Sequence, residues 1–172
     1  MSFSIHFSLF LKTSLFTNNR AKMPKRCDKL SFFAKSANKA PGKGAHDWLR
    51  EPDAYANLAK LDGWRHELCT SHVSKFWWNG SEWRSIEQAF QATDKSLKMM
   101  LGISSAKYDQ TPSSSAVLAA TADAQLWHIV PFGPPRRFWH LEQIRTAMRT
   151  RATQDDVSSD DDECFYIRGF KQ

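Results

Sequence analysis

Apolar and polar residues alternate in short blocks along this chain, and the blocks predict many small elements rather than a few long ones. Residues 30–34 read as a short strand leading into a Gly/Pro-rich loop over 36–47. Pro52 to Leu61 reads as a short helix with Tyr55, Leu58 and Ala59 on one face. Residues 72–78 (HVSKFWW) are rich in strand formers, and Asn79-Gly80 signals a tight turn before the returning arm Ser81-Glu82-Trp83. Ser85 then has the chemistry of an N-cap, with Gln88 at capping-box distance. The helix behind it places Ile86, Ala89, Phe90, Thr93 and Leu97 on one side. Residues 99–106 are ambiguous. Thr111-Pro112 opens another helix, with proline in its first turn, that runs to about Ala120. Leu126 to Val130 reads as a strand ended by Pro131, Gly133, Pro134 and Pro135. Residues 137–150 carry the clearest amphipathic pattern, with Phe138, Leu141, Ile144 and Met148 inward. Phe165-Tyr166-Ile167 is a final strand or a packed tail.

The chain has 172 residues, enough for one domain with a core. Apolar residues make up 41%, which fits a folded protein, and no apolar run is long enough to span a bilayer. The +6 net charge is uneven. Ten Lys and Arg residues fall between Lys12 and Arg50, while Asp155, Asp156, Asp160, Asp161, Asp162 and Glu163 cluster near the end. Such a basic front suits phosphate or nucleic acid, or is simply solvated. Residues 1–22 are basic, Ser/Phe-rich and free of acids, which fits a transit peptide or an extension ahead of a start at Met23. The expected organisation is an extension over 1–29, a domain over 30–152, and an acidic linker and tail over 153–172. Three scattered cysteines form no CxxC pair and point to a reducing compartment, so a cytoplasmic location is expected, or a mitochondrial one if 1–22 is a leader. The six histidines have no metal-ligand spacing, so neither metal nor cofactor is expected.

Two stretches carry chemistry. In APGKGAHD, Gly42 and Gly44 can expose backbone N–H groups and Lys43 adds charge, which suits a phosphate or ribose. It is not a Walker loop, because the spacing and the Lys-Ser/Thr ending are missing. In WRSIEQAFQA, Glu87 falls in the first turn of its helix, where the ionised form is favoured by about 0.3–1 kcal/mol at exposed sites. It serves there as a base or cation stabiliser, or only as a partner of the helix dipole. Of the indoles Trp64, Trp77, Trp78, Trp83 and Trp127, Trp83 is placed best to face a pocket beside Glu87.

Four blocks then occur in a definite order: FFAKSANKAPGKGAHD, GWRHELCTSHVSKFWWNGSEWRSIEQAFQA, KYDQTPSSSAVLAATADAQLWH and GPPRRFWHLEQIR. Together, over roughly residues 31–150, they resemble the NADAR family, also called YbiA-like. The resemblance implies an α+β fold, mainly α, forming a compact single domain with a few short strands. It also implies cleavage of an N-glycosidic bond between ribose and a base. The substrates implied are a ribosylaminopyrimidine phosphate of the riboflavin pathway or ADP-ribose on guanine, so the partner is a small nucleotide or an ADP-ribosylated nucleic acid. By position, Glu87, Lys35 and Asp47 become the candidate catalytic residues. Lys43, Trp83, Asp123 and Arg65 become the substrate-binding candidates. Gln88 stands where the motif has histidine, Ala122 stands at the turn glycine, and the segment from Ala92 to Lys107 is short for the family.

In the mechanism this implies, Glu87 stabilises positive charge on the ribose, Asp47 or Asp123 holds hydroxyls or water, Trp83 stacks the base, and Lys35 and Lys43 neutralise phosphate. A lysine could instead attack the sugar C1 through a Schiff base. Two other readings are a catalytically impaired ADP-ribose or nucleotide-binding module and a basic nucleic-acid binder.

Overall fold

The computed structural model describes residues 27–158, and side chains through 154. Residues 1–26, the acids from Asp160 to Glu163 and the Phe165-Tyr166-Ile167 segment lie outside the described residues. Strand β1 spans Lys29–Phe32. A long loop follows and returns at Trp48, which exchanges two backbone hydrogen bonds with Lys29 at 2.7 and 2.9 Å. A 3-10 turn at Pro52–Tyr55 runs into α1, Ala56–Ala59, and Gly63 at φ 67 starts α2, Trp64–Glu67. The hairpin β2 (Phe76–Trp78) and β3 (Ser81–Trp83) turns through Asn79 and Gly80 at φ 51 and 77, the double positive φ of a tight primed turn. Then come α3 (Ile86–Gln91), α4 (Leu97–Gln110), α5 (Pro112–Ala120), β4 (Gln125–His128), β5 (Arg136–Arg137) and α6 (Trp139–Ser158). The fold is α+β, mainly α, with short strands in two small sheets.

Several predicted boundaries move. The expected 52–61 helix is a 3-10 turn plus a single α turn, so Tyr55 and Leu58 are buried but Ala59 is exposed. The helix after Ser85 stops at Gln91, and Leu97 is more than half exposed. The cause is local: the Asp94 carboxylate accepts the Ser96 N–H at 2.9 Å, Lys95 turns to φ 58, and the Ser96 hydroxyl caps α4 through the Met99 N–H at 3.3 Å. The undecided stretch 99–106 is therefore interior to one continuous helix. Helix α6 runs on past 150 to Ser158, into the expected acidic linker. Phe138 precedes it but still packs on the core.

Strands β1 and β4 pair in parallel, Leu30 with Leu126 and Phe32 with His128. Leu30, Phe32 and Leu126 are fully buried and meet Ile86, Ala89, Ile103, Tyr108, Leu118, Leu141 and Ile144 in one core. Burial of these side chains drives the assembly, at roughly 25 cal/mol per Å² of apolar surface. Because both strands point the same way, Phe33 and Ile129 leave the sheet at the same end. Asp28 and Asp123 lie at the other end.

Candidate functional site

The site is built on Asp47. Residue 31 of β1 turns its side chain away from the core, and the Ser31 hydroxyl and amide donate to Asp47 Oδ1 at 2.7 and 2.9 Å. Oδ2 accepts the N–H groups of Gly42 and Gly44 at 3.1 and 3.0 Å. Arg65, from α2, donates Nη2 to Oδ2 at 2.7 Å and Nη1 to Oδ1 at 3.2 Å. The Asp47 carboxylate is thereby wholly enclosed, its side chain 0% exposed against 4% for Arg65. Burial alone would raise its pKa, but the bonds from Arg65 and Ser31 and the guanidinium charge hold it below the usual carboxylate range. Gly44 permits this: a β-carbon there would stand 2.8 Å from Asp47 Oδ2.

Helix α2 clamps the loop from the other side. Trp64 Nε1 donates to the Lys39 carbonyl at 3.2 Å, and Arg65 Nε donates to the same oxygen at 3.3 Å. Arg65 Nη2 reaches the Ala40 carbonyl at 3.3 Å, and Nη1 bonds the Ser31 carbonyl. His66 Nε2 donates to the Ser36 carbonyl at 2.6 Å. Three consecutive side chains thus fix the loop backbone, which explains why GWRHEL and APGKGAHD belong together in space. Arg65 spends its donors in this way, and Trp64 is 1% exposed, so it packs rather than stacks a ligand.

Above this brace lies a cleft of about 450 Å³, at the carboxyl ends of β1 and β4. Ligands favour that end of parallel strands. Phe33, Lys35, Lys39, His46 and Ile129 contribute to its walls, with Ser31, Gly44 and Arg65 at its base. Lys35 and Lys39 are exposed and form no ion pair among the described residues. The cleft therefore offers an aromatic edge and uncompensated positive charge. Phe33, Lys39 and His46 were not singled out from the sequence, although all three lie in or beside the loop that was.

Of the predicted residues, Lys35 and Arg65 line the cleft and Asp47 lies beneath it. Lys43 is exposed on the same loop but is not among the lining residues. Glu87 is exposed, and its N–H donates to the Thr70 carbonyl at 2.9 Å. Thr70 sits between Cys69 and Ser71, which line a second recess of about 280 Å³ together with Ala34, His66, His72 and Val73. The Glu87 charge reaches His128, the residue before cleft-lining Ile129. Burial lowers the His128 pKa and Arg136 adds to this, while Glu87 opposes both. Trp83 is half-buried and gives its Nε1–H to the Trp78 carbonyl at 3.1 Å. Asp123 is remote: it is 93% exposed, ion-paired with Arg149 at 2.6 Å, and faces a depression with Asp28 and Glu51 at the opposite end of the sheet. Four residues of parallel strand, about 13 Å, separate the two ends.

Gln88 completes the cap of α3. The Ser85 hydroxyl accepts its N–H at 3.2 Å, and its Oε1 accepts the Arg84 N–H at 3.0 Å. Among the described residues no cluster of His, Cys, Asp and Glu could hold a metal ion, and no helix is long and apolar enough to cross a membrane. Compared with known proteins, the chain matches no family model, no curated protein and no solved structure.

Proposed function

We propose that the cleft binds the phosphate and ribose of a nucleotide or ADP-ribosyl group, and that the protein hydrolyses the N-glycosidic bond between that ribose and its base. The observation that supports this most is the pair of unpaired lysines, Lys35 and Lys39, beside Phe33 on a braced loop. Phosphate oxygens would meet the ammonium groups, and a flat base or sugar face would meet the ring. The volume suits a nucleotide-sized ligand. Ala34, next to cleft-lining Phe33 and Lys35, lines the second recess, and Glu87 is bonded to Thr70, between two residues of that recess. In this reading Glu87 stabilises the cationic ribose and orients water as the base leaves. Asp47 and Arg65 act as positioning residues, because their polar atoms are committed to the loop.

A second reading is a binding module without cleavage. The observation that favours it is that Glu87, tied to the second recess through Thr70, is not among the residues lining the cleft. Titration calorimetry with ADP-ribose tests the recognition common to both readings. Lys35→Ala is expected to weaken binding by about 1.5–3 kcal/mol, the range for hydrogen bonds to charged groups, without changing the melting temperature. An unchanged affinity would remove the cleft from consideration.

A further inference from the structure

Helix α6 carries a face that nothing covers among the described residues. A shallow groove of about 440 Å³ runs along it, lined by Trp139, Glu142, Gln143, Thr146 and Ala147. Thr150, Thr153 and Gln154 continue the same helical stripe without a charge. The one charge in the groove is engaged elsewhere. The Glu142 carboxylate accepts from Arg137 at 3.0 and 2.7 Å and from the Leu126 N–H at 3.0 Å. The Thr146 hydroxyl donates to the Glu142 carbonyl at 3.0 Å. What faces outward is mostly carbon, led by the Trp139 ring, 36% exposed, and the Ala147 methyl.

The direction of α6 decides what can reach this face. The helix runs antiparallel to β4: Phe138, just before it, stacks on His128 at the cleft end of the sheet, while Arg149 pairs with Asp123 at the other end. Ser158 therefore ends α6 beyond the end remote from the cleft, about 28 Å of helix from Trp139. The sequence then has four acids, Asp160 to Glu163, and the apolar run Cys164-Phe165-Tyr166-Ile167. At about 3.4 Å per residue, Glu163 extends at most about 17 Å from Ser158, too short to bring the acids to the lysines of the cleft. Folded back along α6, each extended residue passes about two helical ones. Phe165 to Ile167 then fall beside residues between about 147 and 138, with up to two residues used in the reversal. That is the length of the groove. The acids pass Arg151 and Arg149, whose side chains are 53% and 45% exposed. Each guanidinium gives one N–H, to Asp109 and to Asp123, and keeps others for a second carboxylate.

We propose that this groove is the docking site of the chain's own C-terminal segment. Asp160 to Glu163 form a strap that meets Arg151 and Arg149, and Phe165, Tyr166 and Ile167 cover the surface from Ala147 to Trp139. The docked tail leaves the cleft open, and its docking is independent of what the cleft binds.

The test uses the full chain with Cys27→Ser, which leaves Cys164 and the buried Cys69 as native thiols. Ala147→Cys is added on the groove; Ala147 is exposed, so the fold stays intact. Disulfide formation with Cys164 under mild oxidation is followed by mass spectrometry of non-reduced peptides. The bond is expected to form within one molecule. Adding Phe165→Ser and Ile167→Ser keeps the tether length and removes the docking side chains. Trapping is then expected to slow at least about tenfold, the factor for about 1.4 kcal/mol of docking. Equal rates with and without these two changes overturn the proposal. Disulfides between molecules rather than within them assign the groove to a second copy, and overturn it as well.

Discussion

Replacing Asp47 by Asn tests the brace on which the cleft stands. One carbonyl oxygen would remain to accept from Ser31. The new amide nitrogen would then face the N–H groups of Gly42 and Gly44 and the Arg65 guanidinium, three donors that now bond Oδ2. Arg65 would keep its charge with its side chain only 4% exposed. Breaking one side of a buried pair costs about 3–5 kcal/mol, because the partner charge stays buried. At roughly 3–5 °C per kcal/mol for a domain of this size, the melting temperature should fall about 10–20 °C. Urea unfolding at pH 7, followed through the seven tryptophans, measures the loss. Asp47→Asn combined with Arg65→Met should cost at least about 1 kcal/mol less than the two changes summed, since each removes the other's unpaired partner. A single-mutant cost below about 1 kcal/mol, as for an ordinary surface change, would refute the brace. So would strict additivity in the double mutant.

Two further changes probe the supports of the sheet. Ala122 sits at φ 46 between Thr121 and Ala124, both held by Arg145 through bonds of 2.6 Å to Thr121 Oγ1 and 3.0 Å to the Ala124 carbonyl. Ala122→Gly relieves the left-handed backbone and should stabilise by about 0.5–1 kcal/mol net in the same urea assay, after the entropy cost of glycine. His140 is 5% exposed, its Nε2 finds no hydrogen-bond partner among the described residues, and burial pushes its pKa down to about 4 against the opposing charge of Glu142. The unfolded chain takes this proton near pH 6.5 and the folded one only near 4, so stability falls as pH drops through that window. Between pH 7 and 5 the loss from this group is about 2 kcal/mol, and His140→Phe should remove most of it in urea unfolding at the two pH values.

The elements with local chemical signals were legible before the fold was known. Asn79-Gly80 fixed the hairpin, Ser85 and Gln88 fixed the start of α3, and Pro112 fixed the start of α5. Ala122 adopts a positive φ that nothing in its local sequence announces. The break at 92–96 was missed because Phe90, Thr93 and Leu97 keep helical spacing across it, while the Asp94 and Ser96 side chains divert the backbone. The parallel pairing of β1 and β4 was not readable either, since ninety-odd residues separate the strands and periodicity carries no partner information. For the same reason nothing local showed that Asp47 would be enclosed by Ser31, Gly42, Gly44 and Arg65, or that Asp123 would fall at the far end of the sheet. The sequence pairs the loop with the helix of Glu87, whereas the structure ties it to α2 through Trp64, Arg65 and His66, a contact that no local signal announces.

In the proposed hydrolysis of the N-glycosidic bond, Glu87 is the group that stabilises the cationic ribose. Its most direct test is base release from an ADP-ribosylated guanine oligonucleotide, and from a ribosylaminopyrimidine phosphate, by purified wild type and Glu87→Gln. Glu87 is exposed, so the substitution should cost only the helix-terminus term of about 0.3–1 kcal/mol and leave the fold intact. Wild type is expected to release the base from one of these substrates, with a drop of at least about 100-fold in Glu87→Gln, the scale of losing an electrostatic stabiliser. No release from either substrate, or equal release by both proteins, would contradict it.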